Sequence, residues 1–296
     1  MRALVIIIVL ALLGTAGYAF YLRQATAARE AELAQAQAEA DRLAAESLAS
    51  QADPLRGMTR DSRPEVRELS LDLLATLEPQ AAAAEMARIL SEEKEARVLA
   101  KALLIAGQKK LLSAVEPAIP HLKDADPSVR RNAAWALGEL GATDTKAANA
   151  ATGAVMDAHK AERKSWQEAK AKRPTIAPKR VGERPQPVGV APAEFGAMGV
   201  YIDALGKLKA GAPDIFAEAI RSEEPAMRLT TAKALASVGT TQAGKELVQA
   251  WRRETDPIVK IEITKALEGG AFGDVMDPKT HTPRPDALKE KGERER

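Results

Sequence analysis

The chain has 296 residues, with 43 Lys or Arg against 41 Asp or Glu and a formal net charge of +2. That balance is too even for phosphate neutralisation to hold the whole chain on nucleic acid, so no nucleic-acid partner is expected. Cysteine is absent, which excludes disulfides, thiolate metal sites and a cysteine nucleophile; only 3% of residues are aromatic, and the hydrophobic 46% is carried by Ala, Leu, Val and Ile, residues of helix–helix seams.

Residues 1–22 begin with Met1 and Arg2 and continue as an uncharged stretch from Ala3 to Leu22, about 20 residues, long enough to cross a bilayer as a helix. Small residues follow the strongest apolar run at Gly14, Ala16, Gly17 and Ala19, the pattern of a signal-peptidase site, whereas Phe20, Tyr21 and Leu22 prolong the apolar run as in an uncleaved anchor. Signal anchor and signal peptide both stay open, and either one exports the rest of the chain. The expected location is membrane-anchored with the bulk outside the cytoplasm, on the periplasmic side in a Gram-negative bacterium, or else exported and soluble. Residues 23–54 are rich in Ala, Glu, Gln and Leu, with large apolar residues only at Leu33, Leu43 and Leu48, and predict a solvated helical stalk.

Repeats govern residues 55–158 and 193–272. Asp61–Ala75 (DSRPEVRELSLDLLA) and Asp124–Gly138 (DADPSVRRNAAWALG) share Asp, Pro, Val and Arg in register, 63 residues apart. SEEKEARVLAKALLIAG is placed between them by aligning Arg97, 30 residues after Arg67 and 33 before Arg130. EEPAMRLTTAKALASVG carries Arg228, TDPIVKIEITKALEGG carries Lys260 after Pro257, and GAMGVYIDALGKLKAG is a sixth copy with Met198 in place of Arg. Asp126 and Asp256 suit N-caps, with Pro127 and Pro257 at the first helical position, where a missing N–H costs nothing. Val129, Ala133, Ala136, Leu137 and Leu140 then draw one apolar stripe. Second helices follow around Met86, Ile119, Ile215 and Leu247. Helix pairs this short bury their faces only by stacking, so the expected fold is an all-α solenoid of about six helix pairs.

The run PSVRRNAAWALGELG resembles the first helix of a HEAT repeat, of the subtype also seen in phycobilisome lyases; the family pattern falls on Pro127, Val129, Arg130, Ala133, Ala134, Ala136, Leu137 and Gly138. The resemblance covers roughly residues 55–270 apart from one insertion. It implies a curved stack of antiparallel helix pairs that binds or scaffolds another protein. A lyase-like enzyme, a small-ligand-binding solenoid and a nucleic-acid-binding HEAT-like protein are the alternatives it carries.

The recurring Arg67, Arg97, Arg130 and Arg228 are expected to be architectural, donating to acidic caps and helix ends such as Asp61, Asp124 or Asp126. Trp135 and Trp251 are expected to cover helix seams. Residues 159–192 break the pattern: HKAERKSWQEAKAKR continues as a helix former and a Pro-rich run follows. Lys160 to Arg184 holds nine Lys or Arg against three Glu, so the basic charge of the chain concentrates there. If the insertion is functional rather than a solvated loop, Trp166 anchors a partner, and Lys164, Lys170, Lys172, Arg173, Lys179 and Arg180 attract acidic protein or anionic lipid. Residues 273–296, with Pro278, Pro283 and Pro285, predict a disordered tail.

His121, His159 and His281 show no metal-ligand spacing, and no phosphate loop, dinucleotide motif or nucleophile elbow occurs. The iron-binding deoxyhypusine hydroxylases, also built on HEAT-like repeats, use repeated His-Glu pairs that this sequence lacks. No enzyme activity, cofactor or metal is therefore expected, and the partner is expected to be a protein.

Overall fold

In a computed structural model the described residues are 29–30, 32–43, 54–172, 175–176, 186–187, 194–269, 272, 275–277 and 279–284. The segment Ala3–Leu22 lies outside them, as do Leu48, Arg173, Lys179 and Arg180. Among the described residues no helix is long and apolar enough to cross a membrane. The chain divides into two units, residues 1–57 and 58–296. In the first, residues 32–43 are helical, with Leu33 and Leu43 exposed.

The second unit is a stack of helices in two rows. The first row is α1 (Pro64–Leu77), α3 (Ala96–Gln108), α4 (Pro127–Gly141), α6 (Glu194–Lys207), α8 (Pro225–Val238) and α10 (Pro257–Glu268). The second row is α2 (Pro79–Glu92), a broken helix in three pieces over Leu112–Lys123, then α5 (Thr145–Ala171), α7 (Pro213–Ala219) and α9 (Thr241–Arg253). Pro117 and Pro120 explain why the second of these is broken, since each removes a backbone donor.

Local sequence sets the starts. Asp126 accepts a hydrogen bond from the Ser128 N–H, and Asp256 from those of Ile258 and Val259, with Pro127 and Pro257 opening α4 and α10. Asp144 and Thr240 cap α5 and α9 in the same manner. Gly239, at φ 68, closes α8 in the left-handed conformation that a side chain would strain.

The first row packs backbone against backbone. A Cβ on Gly138 of α4 would lie 2.8 Å from the Cα of Ala204 on α6, and one on Gly206 of α6 would lie 2.6 Å from the Cα of Ala234 on α8. A Cβ on Gly107 of α3 would lie 2.5 Å from the Trp135 ring and 3.0 Å from the Cα of Ala136, both on α4. One small residue therefore presses on the next repeat's Ala at three successive steps, and large apolar side chains are pushed to the space between the rows. There Leu74, Met86, Leu103, Leu137, Ile202 and Phe216 form the core.

These contacts correct one expected alignment. Val98, Ala102 and Gly107 occupy the places of Val129, Ala133 and Gly138, a constant step of 31, so the counterpart of Arg130 is the buried Leu99. Arg97 stands two residues early, mostly exposed, and pairs with Glu68.

Two expected boundaries also move. The disordered tail was expected from residue 273, but Phe272, Val275 and Met276 are buried, and Met276–Asp277 pairs antiparallel with Thr282–Pro283. These three apolar residues close the last first-row helix, which has no second-row partner among the described residues; the six expected pairs are five pairs and a capped single helix. The insertion was expected from residue 159 as a continuing helix; α5 runs on to Ala171, but His159, 4% exposed, belongs to the packed stack. Two-residue strands, Thr175–Ile176 and Gln186–Pro187, pair antiparallel beyond it.

Candidate protein-binding cleft

The cleft is built on a repeated staple. Arg67 donates to Glu93 at 2.7 and 3.0 Å and to the carbonyls of Asp61 and Ser62 at 2.8 and 3.1 Å. Arg228 donates to Glu254 at 2.7 and 2.9 Å and to the carbonyls of Ser222 and Glu223 at 2.9 and 3.0 Å. Each Arg thus ties the start of its first-row helix to the residue that ends the second-row helix. Glu93 and Glu254 also accept from backbone N–H groups of the following linker. Burial by itself would raise both carboxyls; the Arg and backbone hydrogen bonds outweigh it and hold both below their usual value.

In the third repeat Arg130 makes the same contacts, to Glu162 at 3.0 and 3.3 Å and to the carbonyls of Asp124 and Ala125 at 2.9 and 3.0 Å. Glu162 therefore stands where the other second-row helices end, and α5 continues nine residues past it. This overhang is what the insertion contributes. Arg163 pairs with Glu218 of α7 and fastens its base.

Beyond Arg163, the overhang and α7 enclose a cleft of about 710 Å³. One wall carries Trp166 and Lys170, whose ammonium sits 4.8 Å from the centre of the Trp166 ring. The opposite side carries Asp214, Glu218 and Arg221, then Ser222, Glu223 and Glu224, with Glu194 at the start of α6. Two of these carboxylates build the cleft itself. Glu224 accepts from the N–H groups of Glu194 and Phe195 at 2.6 and 2.9 Å, capping α6, and Glu194 accepts from the Ser222 hydroxyl at 2.5 Å. Among the described residues, Asp214 and Glu223 complete five carboxylates that face two cations, Lys170 and Arg221.

Of the residues expected to bind, the structure brings Trp166 and Lys170 into this cleft; Lys164 and Lys172 are exposed and line no part of it, while Arg173, Lys179 and Arg180 lie outside the described residues. The overhang is basic, but the wall facing Trp166 is acidic, because caps and turns of the fourth and fifth repeats supply it. Trp251 is a seam residue, donating to Thr264 at 2.9 Å with Lys260 4.4 Å above its ring.

His159 lies under the base of the overhang, against Tyr201 at 6.5 Å between ring centres, with no hydrogen-bond partner on Nδ1. Burial, with the nearby charges of Arg163 and Lys160, pushes its pKa down to about 4. Among the described residues no group of three His, Asp or Glu side chains is arranged to hold a metal ion.

The sequence matches the family of HEAT repeats over residues 84–170 and 199–268, more than half of the chain. The chain belongs to the HEAT-repeat family. No curated protein sequence matches it. Among solved structures, this HEAT stack is similar to two engineered proteins. One is 16% identical, with a TM-score of 0.49 over 76% of this chain and 97% of the other; the second is 17% identical, with a TM-score of 0.46 over 73% and 97%. Human deoxyhypusine hydroxylase in complex with glycerol is 20% identical, with a TM-score of 0.35 over 83% of this chain and 94% of that one. The HEAT match spans both sides of the cleft, ending at residue 170 on the overhang and resuming at residue 199 on α6.

Proposed function

We propose that this HEAT-repeat protein is a non-enzymatic scaffold, tethered to a membrane through Ala3–Leu22 with its solenoid outside the cytoplasm, and that it holds a protein partner. The observation that carries the reading is the cleft: a HEAT stack carries one overlong helix whose overhang faces the next repeat across an open groove, with an amphipathic aromatic on one side and carboxylates on the other. Trp is favoured at interface centres because it supplies area and a polar edge at low conformational cost. The excess of carboxylates selects a partner segment that carries positive charge. The uncharged length of Ala3–Leu22 supports the tether.

The test places a photo-crosslinking amino acid at position 166 of the full chain in cells, with position 233 on the exposed side of α8 as control. A discrete crosslinked protein from position 166 and none from 233 is expected. Identical patterns at both positions, or none at 166, reject the cleft as the binding surface. Sedimentation with membranes that persists after carbonate washing, and is lost when residues 1–22 are removed, is expected of the tether; a soluble intact chain rejects it.

A further inference from the structure

The first and fifth repeats are related by a constant step of 161 residues, so that Arg60, Arg67, Glu85 and Glu93 correspond to Arg221, Arg228, Glu246 and Glu254. Glu85 and Glu246 are equally buried, each 7% exposed. Their partners differ. Glu85 accepts from the Thr59 hydroxyl at 2.6 Å and from Arg88 at 2.7 Å, with Arg60 at 3.4 Å. At the fifth repeat Ile220 replaces Thr59 and Gln249 replaces Arg88, and both strong donors are gone. What remains at Glu246 is the Gln242 amide at 3.2 Å on Oε1 and the Arg221 guanidinium at 3.7 Å from Oε2, beyond hydrogen-bond range. Oε2 has no hydrogen-bond partner. A buried carboxylate with so few donors leaves room for a further donor, from water or from a bound group.

Glu246 lines a cavity of about 290 Å³ whose other walls are largely apolar, among them Pro213, Phe216, Leu235 and Val238, with Gln242 beside the carboxylate. Lys209, the other charged side chain on its wall among the described residues, is exposed and makes no ion pair with Glu246. An apolar chamber with one under-donated carboxylate fits a cation on an aliphatic stem. Of the two such side chains, arginine is the cheaper to desolvate, and its planar fork offers parallel N–H donors to a carboxylate.

We propose that this cavity receives an arginine side chain of the bound partner, its methylenes against Phe216, Leu235 and Val238 and its guanidinium on Glu246. The choice of a protein as the source of that side chain rests on the scaffold reading; the chemistry of the cavity does not. Arg221 connects the two places, lining the cleft while its guanidinium points toward Glu246, so one cationic segment can lie in the cleft and insert a side chain here.

The test uses the full chain in detergent micelles and two small probes, N-butylguanidinium and its neutral near-isostere N-butylurea. Methyl NMR signals of Leu235 and Val238 report binding. N-butylguanidinium is expected to bind about tenfold tighter than N-butylurea, the effect of one charge-assisted hydrogen bond. Glu246→Gln is expected to abolish that preference at unchanged melting temperature, and Val238→Phe, which fills the chamber and leaves Glu246 in place, to weaken both probes. Equal affinities in the natural chain, a preference that survives Glu246→Gln, or no saturable shift overturns the assignment. Crosslinking from position 166 is independent of these outcomes, so the cavity and the scaffold reading fail separately.

Discussion

Arg228 on α8 and Glu254 at the end of α9 are joined by two hydrogen bonds of 2.7 and 2.9 Å, with the Glu254 side chain 4% exposed. Removing the guanidinium leaves a buried carboxylate whose charge, among the described residues, only the N–H groups of Thr255 and Asp256 then meet. Arg228→Met should therefore lower stability by about 3 kcal/mol in urea unfolding, the cost of breaking a buried pair from one side. The double variant Arg228→Met, Glu254→Leu should regain much of that loss, since neither charge is then stranded. The chain already places an apolar residue at this position twice: Leu99 of α3 and Met198 of α6 fill it and are buried. A double variant no more stable than the single one would show that the staple is worth more than its charges.

The close contacts of the first row predict opposite signs for the same substitution. Gly→Ala in a helix gains about 1 kcal/mol of propensity. At Gly153, on the exposed side of α5 with nothing within 4 Å of the added Cβ, that gain should appear as a higher melting temperature. At Gly206 the Cβ would meet Ala234 backbone at 2.6 Å, and overpacking of about 1–3 kcal/mol should exceed the gain. Thermal unfolding of the two variants reads the difference directly.

Two carboxylates at equivalent positions should respond differently to neutralisation. Burial alone would raise the Glu85 carboxyl, but its hydrogen bonds from Arg88 and Thr59 outweigh that and hold it below the usual value. Glu85→Gln should then destabilise the first repeat by about 1–3 kcal/mol, because donors lose a charged acceptor. Glu246→Gln removes a charge that has few donors and should leave the melting temperature level or raise it. Equal losses at both sites would refute the difference between the repeats.

His159 gives a pH signature. Its pKa is about 4 when folded and about 6.5 when unfolded, so the unfolded chain binds the extra proton first on acidification. Its contribution is fully present above about pH 6.5 and is lost progressively as pH falls toward 4, on the order of 3 kcal/mol in total. The Glu85, Glu93 and Glu254 carboxyls, all lowered, add a further loss below about pH 4.5. Between pH 6.5 and 5 the slope belongs to the histidine. His159→Gln should flatten the urea midpoint there while leaving the acid limb intact; an unchanged slope would show that His159 protonates freely in the folded protein.

Much of the stack was legible in the sequence because Asp-Pro starts, Val-Arg pairs and Ala-Leu-Gly ends are each demanded by a contact: a cap, a staple, a backbone crossing. The misplacement of Arg97 shows the limit. Its helix lacks the opening proline, and a charged residue is a conspicuous marker, whereas the register is fixed by Val98, Ala102 and Gly107, which are bland letters in an alanine-rich line. The basic overhang was visible as composition, but the acidic wall opposite was not. Glu194, Asp214, Glu223 and Glu224 read as ordinary helix caps and turns, and only the fold sets them across from Trp166. The shortage at Glu246 leaves no local signal at all; it emerges from comparison with a residue 161 positions earlier.

The glycine crossings also decide where the molecule can yield. Gly138 and Gly206 rivet neighbouring first-row helices at backbone distance, leaving no side-chain cushion to compress or stretch. In the second row α5 and α7 are parted by a groove, bridged at its base by Arg163 and Glu218. A segment that enters beside Trp166 therefore meets the stack on the row opposite its closest glycine contacts, where the groove leaves room between α5 and α7.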